Sequence, residues 1–406
     1  MSKTTYILLL AVLCLLSVQC TREAPQYING LELQTRMPEE FKPEISYAFK
    51  EVTFSSAART YTFETDEDGR LIIDELIPDV YTINTYYEIS GKDYKQMVEE
   101  EVFLPDDARI LLSATLGNIP VYSAHTLLLE IESSIQQGLL ISKVYYSGTK
   151  DNLNRNYITD AFVEIFNNSE EVLYIDGKYL ALAESRSPSA YLAVDNPDYI
   201  YTRQIVKFPG EGTDYPIEPG KSIVIATRSA RNHTQSASAS VDLSDADFEV
   251  KDSDGMGNPA IKALTVISSS TSLRFFNLLT GAPNAIFLFE TEEDVLEWPE
   301  FYTPGMSSGE RFRRVPVETV IDGVEALRNS AGSGPDPSQK RLHNFIDAGF
   351  TFITATSGYV NESVERRVSR IEDGRVVLQD TNNSSVDFVV ISGPAPRKYD
   401  HPELLK

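Results

Sequence analysis

Short apolar runs separated by turn signals are the feature of this sequence that most constrains its fold. Val, Ile, Tyr and Phe are frequent in runs such as 60–64 and 139–146, and Gly, Pro, Asn and Asp stand between the runs. Residues of these types favour strands and turns, respectively. Segments with helical character are scarce, and 292–301 and 338–346 are the best short candidates. The sequence therefore predicts a mainly β fold with little helix.

The composition argues against several classes of function. The chain has 36 Lys and Arg against 60 Asp and Glu, which gives a net charge of −24. Nucleic acids and anionic membrane faces attract clustered positive charge, so this balance argues against either as a partner. The 21 Tyr and 19 Phe supply ample apolar surface for packed cores, which argues against global disorder.

Residues 1–20 have the organisation of an export signal. Lys3 precedes an apolar run over 7–16, which is shorter than the roughly 20 residues that span a bilayer, and the run ends in LSVQC. A cysteine at this place resembles the lipobox of bacterial lipoproteins, although Gln19 stands where a small residue is usual. The resemblance implies a lipoprotein signal peptide over 1–20 and a lipid on Cys20 as the membrane anchor. The alternative is an ordinary cleaved signal that leaves Cys20 as a free thiol.

Residues 21–135 resemble a known small β-sandwich. The segments TDEDG at 65–69 and LIPDVY at 76–81 are similar to motifs of the transthyretin-like or carboxypeptidase-regulatory-like family, with Asp79 where the family prefers Gly. The resemblance implies a small structural domain without catalytic residues.

Residues 136–396 resemble a lamin-tail domain, which is an immunoglobulin-like β-sandwich. The similarity is carried by the strand-like segments 139–146 and 161–169, by the Pro-Gly turn and strand at 217–226, and by 320–325. The resemblance implies a larger sandwich with long loop insertions, followed by a C-terminal tail over 397–406.

Three further segments, 242–248, 347–352 and 376–384, resemble a lipoprotein family of unknown function from Bacteroidetes. This resemblance implies a lipid-anchored protein of the cell envelope, in the outer membrane, but it carries no activity. Between the strands lie two insertions, 230–258 and 329–339. The first is rich in Ser, Asp and Ala and is predicted to be a surface excursion, and the second is rich in Gly and Pro and is predicted to be a flexible loop.

Several motifs for catalysis are missing from the sequence. It has no H-E-x-x-H, no P-loop and no G-x-G-x-x-G. A pair between His233 and one of the acids at 242, 245 and 247 is conceivable, although a histidine on a polar loop is usually just solvated. Glu164, inside an apolar strand, is the first carboxylate to examine, and a hydrogen-bonded strand acid is the favoured interpretation. We therefore predict that the protein is not an enzyme.

Calcium is the one cofactor that the sequence suggests. Asp252 and Asp254, followed by Gly255 and Asn258, place oxygen ligands at alternate positions next to a bend, as loops for hard cations do. The glutamate that would complete an EF-hand is missing, so calcium at Asp252, Asp254 and Asn258 stays one alternative and no cofactor the other.

Two groups of residues suggest binding. Tyrosines at 191, 199, 201 and 215 lie in a less regular stretch where exposure is expected, and flat rings can stack on sugars. The segment 311–314, Arg-Phe-Arg-Arg, is the one dense positive patch, for which pairing with the chain's own acids is the favoured use. The expected function is thus a non-catalytic binding module. Its partner would be an envelope protein such as an outer-membrane transport barrel, or a glycan, with a hydrolase as the remaining alternative.

Overall fold

Strands dominate the computed structural model, which describes residues 27–99, 102, 104, 106, 108–136, 138–186, 188–251, 257–281 and 283–405. This confirms the predicted mainly β fold. The strands form two groups of sheets that share no strand within the described residues. The first group ends at residue 135 and the second begins at residue 139.

The N-terminal group packs two sheets around one core. Its sheets have the strand orders β3-β2-β5-β6-β8 and β4-β1-β7. Apolar residues of both sheets, including Leu31 and Ile73 from one and Phe54 and Ile83 from the other, fill the core. The elements are β1 (Leu31–Arg36), β2 (Glu51–Ser55), β3 (Thr60–Glu64), β4 (Arg70–Ile73), β5 (Asp79–Ser90), α1 (Gly91–Met97), β6 (Arg109–Val121), β7 (Thr126–Glu130) and β8 (Glu132–Ile135).

The turn at 66–69 connects strands of different sheets, β3 and β4, and is not the hairpin turn that its sequence suggests. The Asp66 carboxylate accepts hydrogen bonds from the backbone N–H groups of Asp68 and Arg70, at 3.0 and 2.8 Å. Gly69 has a φ of +75°, and a Cβ there would lie 2.5 Å from Thr35 Oγ1. The acids of this turn therefore have a structural role.

The C-terminal group is a larger sandwich. One sheet has the order β19-β18-β17-β12-β9-β25-β28, and the other has the order β22-β23-β15-β14-β21-β24 with β20 beside β15. The strands are β9 (Leu139–Tyr145), β10 (Thr149–Lys150), β11 (Asn156–Tyr157), β12 (Phe162–Asn167), β13 (Leu173–Tyr174), β14 (Tyr179–Ala183), β15 (Tyr199–Lys207), β16 (Pro216–Ile217), β17 (Ser222–Ala226), β18 (Phe248–Glu249), β19 (Lys262–Ala263), β20 (Thr265–Ser269), β21 (Asn284–Phe289), β22 (Glu300–Tyr302), β23 (Arg311–Pro316), β24 (Val320–Ala326), β25 (Glu362–Arg366), β26 (Val368–Glu372), β27 (Arg375–Leu378) and β28 (Phe388–Ser392). A single helical turn, α2 (Ser384–Asp387), precedes the last strand.

Both sheets of this sandwich are covered on their outer faces as well. Every residue of β9, β12 and β14 is buried, which explains why apolar residues predominate in these strands without a regular alternation with polar ones. Ala230, Val241 and Leu243 pack on Tyr145 and Phe162 of the first sheet. The prediction that 230–258 is a surface excursion was therefore wrong for its first part, because the apolar outer face of the sheet needs this cover.

The two predicted helices are not formed. Short 3-10 turns, Val295–Glu297 and Pro337–Gln339, lie in their place. In the first case β22 begins at Glu300 and pairs with β23, which brings Phe301 opposite Phe312. Strand pairing and ring contact thus override the weak local helix preference.

The last residues of the chain, 393–405, form what we call the C-terminal strap. The side chain of Leu404 is fully buried. Tyr399 contacts Phe166 of β12, with ring centroids 5.0 Å apart. The segment predicted to be a tail, 397–406, is therefore packed on the sandwich through Tyr399 and Leu404.

Candidate functional site

Three of the sequence-predicted site residues, Cys20, Asp252 and Asp254, lie outside the described residues. Asn258 is described, and its side chain serves the backbone: Nδ2 donates to the carbonyl of Ala230 at 2.9 Å, and Oδ1 accepts from the N–H of Ala260 at 3.0 Å. Within the described ranges, no group of three or more His, Cys, Asp or Glu side chains is arranged to hold a metal ion.

His233 is a buried structural histidine. Its Nδ1 lies 2.7 Å from the hydroxyl of Tyr157 and its Nε2 lies 3.0 Å from the carbonyl oxygen of Ser229. Burial lowers its pKa to about 4. Asp245 and Asp247 form ion pairs with Arg397, at 3.3 and 2.7 Å. The structure therefore does not assemble the conceivable His–Asp pair as a catalytic unit.

Glu164 is the hydrogen-bonded strand acid that the sequence favours. Its carboxylate accepts hydrogen bonds from the hydroxyls of Ser222 and Tyr399, at 2.6 and 2.7 Å, and from the backbone N–H of Arg397. Burial raises its pKa, and the nearby charge of Lys143 acts in the opposite direction. Because its partners belong to β17 and the strap, Glu164 holds the strap on the sheet.

Three neighbouring strands bring the predicted tyrosines and the arginine run together. In the antiparallel pair β15–β23, Tyr201 lies opposite Arg314 and Tyr199 opposite Pro316. In the pair β22–β23, Phe301 lies opposite Phe312. Because opposite residues and alternate residues share a face, all of these side chains lie on one face of the sheet. Together with Tyr191, which stacks on them, we call this set the aromatic–arginine patch: Tyr191, Tyr199, Tyr201, Phe301, Phe312 and Arg314.

The rings of the patch are ordered by mutual contact. Tyr191 and Tyr201 are stacked, with centroids 3.6 Å apart, and Tyr191 also meets the ring of Phe312 edge to face at 5.6 Å. The hydroxyl of Tyr191 donates to the carbonyl oxygen of Tyr302. Tyr191 and Phe312 are thereby buried, whereas Tyr199, Tyr201 and Phe301 are half-buried. The patch offers ring surface to the solvent on a rigid base.

Exposure of the four tyrosines was predicted only partly correctly. Tyr191 is 7% exposed because it stacks beneath the others. Tyr215 lies elsewhere, against Phe248, with centroids 5.2 Å apart. Tyr199 and Tyr201 are half-buried, because β15 holds them within the sheet.

The arginines of the run have two different environments. Arg311 and Arg313 both pair with Glu300, at 3.3 and 3.1 Å, as the favoured interpretation expects. Arg314 has no ion pair with a described carboxylate. Its guanidinium carbon instead lies 3.9 Å from the ring centroid of Phe301 and 4.4 Å from that of Tyr199. Arg314 is therefore a cation held between two rings, with hydrogen-bonding capacity left over: its Nε has no partner.

Two buried arginines next to the patch were missed by sequence reasoning. Arg203 follows Tyr201 by two residues on β15 and is 7% exposed, and Arg341 is 3% exposed. The Nε atoms of both lack a hydrogen-bond partner. Burial, followed by the charge of Arg341, lowers the pKa of Arg203 to about 10. A signal existed, because Arg203 places a charge in the middle of the strand YIYTRQIVK, most of whose residues are buried.

A second concave region lies between the two groups of sheets. This cavity of about 460 Å³ is lined by residues of both, among them Ile110, Ser134, Ile321, Phe345 and Asn382. The side chain of Asn382 bridges its wall by donating to Ser134 Oγ at 3.0 Å and to the carbonyl of Phe345 at 2.8 Å. Asn382 and Ser134 are thus engaged with each other, and none of the described residues that line the cavity is a lysine or an arginine.

Comparisons with known proteins support the fold and leave the activity open. Residues 218–394 match the model of a family described as "Protein of unknown function (DUF4876)". This agrees with the predicted resemblance to a family of unknown function. No curated protein matches the chain. None of the described helices is long and apolar enough to cross a membrane.

Two solved structures are similar to this chain. The crystal structure of a DUF4876 family protein from Bacteroides thetaiotaomicron has 22% sequence identity and a TM-score of 0.58, and the match covers 93% of this chain and 97% of that one. The two chains therefore share a fold. A structure described as a candidate adhesin from Bacteroides ovatus has 10% identity and a TM-score of 0.18 over 80% of this chain and 92% of that one.

Proposed function

We propose that the protein is a non-catalytic binding module of the bacterial cell envelope and that its aromatic–arginine patch binds a glycan. The observation that carries this proposal is the grouping of Tyr199, Tyr201 and Phe301 on one face of β15 and β22, each half-buried. Sugar rings have apolar faces that pack on flat aromatic rings, and their hydroxyls need hydrogen-bond partners. The tyrosine hydroxyls and Arg314 supply such partners beside the rings.

The rigidity of the patch supports a binding role. Tyr191 fixes Tyr201 from below by stacking at 3.6 Å, and Arg314 fixes Tyr199 and Phe301 from the side. A surface whose rings are already ordered loses little conformational freedom when a ligand binds. A merely structural ring cluster would be covered, as Tyr179 and Phe289 are on the next strands of the sheet, where their rings stack at 4.8 Å.

The two residues that the sequence suggests for catalysis, His233 and Glu164, are held in structural hydrogen bonds, which is compatible with a binding module. Both ring nitrogens of His233 have partners, and Glu164 is saturated by Ser222, Tyr399 and the strap. The proposed envelope location rests on the lipid proposed for Cys20, which is the last residue of the lipobox-like segment LSVQC.

The proposal is tested by screening the full-length protein, kept in mild detergent, against an array of bacterial and host oligosaccharides and titrating the best ligand by calorimetry. Burying about 60 Å² of apolar surface on one ring is worth about 1.5 kcal/mol, so Tyr201→Ala should weaken binding about tenfold. Tyr122→Ala is the matched control, since Tyr122 is 64% exposed in the N-terminal group. Equal affinity of the Tyr201 variant and the wild type, or no binding to any glycan, would overturn the proposal.

A further inference from the structure

The ion pairs around the patch leave two arginines without an acid. Glu300 pairs with Arg311 and Arg313, Glu310 lies 3.9 Å from Arg186, and Glu184 lies 3.9 Å from Arg341. Arg203 and Arg314 have no ion pair with any described carboxylate. Such a local excess of positive charge is unusual in a chain with a net charge of −24. It arises because the pairing of β15 with β23 brings distant arginines together.

The environment of Arg203 is the more telling of the two. Its side chain has one hydrogen bond, from Nη2 to the carbonyl of Asn277 at 2.7 Å, and its Nε has none. Ser270, whose backbone N–H donates to the Arg203 carbonyl at 2.8 Å, also has a buried hydroxyl without a partner. A buried guanidinium without a counter-ion is costly, and so is a buried donor without an acceptor. The cost of the buried charge is reduced when an anion lies close to the guanidinium of Arg203.

The acids of the region do not serve this purpose. Glu184 is fully buried, but its oxygens accept from the Arg186 N–H at 2.6 Å and the Ser189 hydroxyl at 2.7 Å. Arg341 uses its Nη1 and Nη2 groups for the carbonyls of Gln339 and Arg186. Glu184 and Arg341 are therefore engaged with other groups of the protein. Arg203 and Arg314 remain without a described carboxylate as an ion-pair partner.

We infer that the ligand of the patch is an acidic glycan, in which a carboxylate-bearing sugar such as a uronic acid places its carboxylate on Arg314 and Arg203 while neighbouring sugar rings pack on Tyr201 and Tyr199. This inference rests on the proposed function and adds the class of ligand. Arginine suits the role because its planar fork matches a carboxylate with two parallel hydrogen bonds. The aromatic rings supply affinity for the sugar, and the arginines select its charge.

The test compares tetragalacturonate with its fully methyl-esterified form, which differs by the loss of the carboxylate charges. We expect the full-length protein to bind the acid at least tenfold more tightly than the ester. In Arg314→Gln the ratio of the two affinities should fall to about one. Arg203→Lys keeps the charge but loses the fork, and should reduce the preference severalfold. Arg36→Gln is the control for net charge, because Arg36 lies in the N-terminal group and its side chain is 63% exposed.

Each outcome separates the inference from the function on which it rests. Equal binding of acid and ester by the wild type, or a preference unchanged in Arg314→Gln, would overturn the acidic class while glycan binding stands. About tenfold weaker binding of both compounds by Tyr201→Ala, with loss of the preference for the acid in Arg314→Gln, would establish both. Should neither these oligosaccharides nor any on the array bind, the proposed function fails and the inference fails with it. Thermal unfolding shows whether the Arg203→Lys variant, with its substitution at a buried position, is folded. Arg314→Gln tests the preference for the acid independently, at a less buried position.

Discussion

The ion pair between Lys143 and Glu365 gives the sharpest prediction about what holds the C-terminal sandwich together. Nζ of Lys143 and Oε2 of Glu365 are 2.6 Å apart, and the two side chains are 0% and 2% exposed. Lys143 also donates to the carbonyls of Ala395, at 3.0 Å, and Lys398 in the strap. Replacing Lys143 by Met thus leaves a buried carboxylate without its counter-charge and frees the strap.

The magnitude follows from distance and burial. At an effective dielectric constant of about 20, two unit charges 2.6 Å apart attract by about 6 kcal/mol before desolvation is subtracted. Removing one partner of a buried pair typically costs about 3–5 kcal/mol of unfolding free energy. For a unit of this size we expect Lys143→Met to lower the melting temperature by about 6–10 °C. The double variant Lys143→Met with Glu365→Gln should recover about half of this loss, because no buried charge is left unpaired.

The chain contains a matched control for burial. Lys178 and Glu290 are also 2.6 Å apart, but the Glu290 side chain is 57% exposed, so Lys178→Met should cost less than about 1 kcal/mol. Calorimetric melting measures all three variants, and digestion with a carboxypeptidase should shorten the strap of Lys143→Met first. Equal shifts for Lys143→Met and Lys178→Met would refute the argument from burial.

Three further predictions concern other parts of the molecule. Burial raises the pKa of Asp387 to about 7. The folded state therefore keeps a proton that the unfolded state loses above pH 3.8, so the contribution of Asp387 to stability falls as the pH rises from about 4 to 7. In urea unfolding, the stability of Asp387→Asn relative to the wild type should therefore rise across this window, and a constant difference would contradict the prediction. Gly148→Ala should lower the unfolding free energy by at least about 2 kcal/mol, because φ is +64° and the new Cβ would lie 2.4 Å from the carbonyl oxygen of Tyr157. The control Gly305→Ala, with φ +79° and open space around the new Cβ, should lower it by about 1 kcal/mol, and calorimetric melting measures both. Cys20→Ser should move the protein from the membrane to the soluble fraction on cell fractionation, and persistent membrane attachment would exclude the lipid on Cys20.

Strand positions could be predicted well where the apolar run is continuous. The segment at 60–64 coincides with β3, and 139–146 and 161–169 contain β9 and β12. Strands β9 and β12 are buried on both faces, so their apolar composition identifies them, whereas β3 is partly exposed and is identified by its β-favouring residues and the turn that follows it. The turn at 66–69 was recognised, but its Asp-rich sequence is equally compatible with a hairpin and with a connection between sheets.

The patch could be predicted only in its parts. Tyrosines 199 and 201 and the run 311–314 are conspicuous in sequence, yet more than 100 residues separate them, and their register is a long-range property. Phe301 was hidden in a segment predicted to be helical. The lack of a partner for Arg203 is visible only once the acids around it are seen to bond elsewhere.

Hydrogen–deuterium exchange of the full-length protein, with and without the oligosaccharide that binds most tightly, tests most directly whether the aromatic–arginine patch is the binding surface. If the patch binds the ligand, exchange should be slower over β15, β22 and β23, where Tyr199, Tyr201, Phe301 and Arg314 lie. Exchange around Tyr122 should be unchanged. Protection confined to 133–136 and 317–322, which line the cavity between the two groups of sheets, would contradict this prediction and place the ligand there.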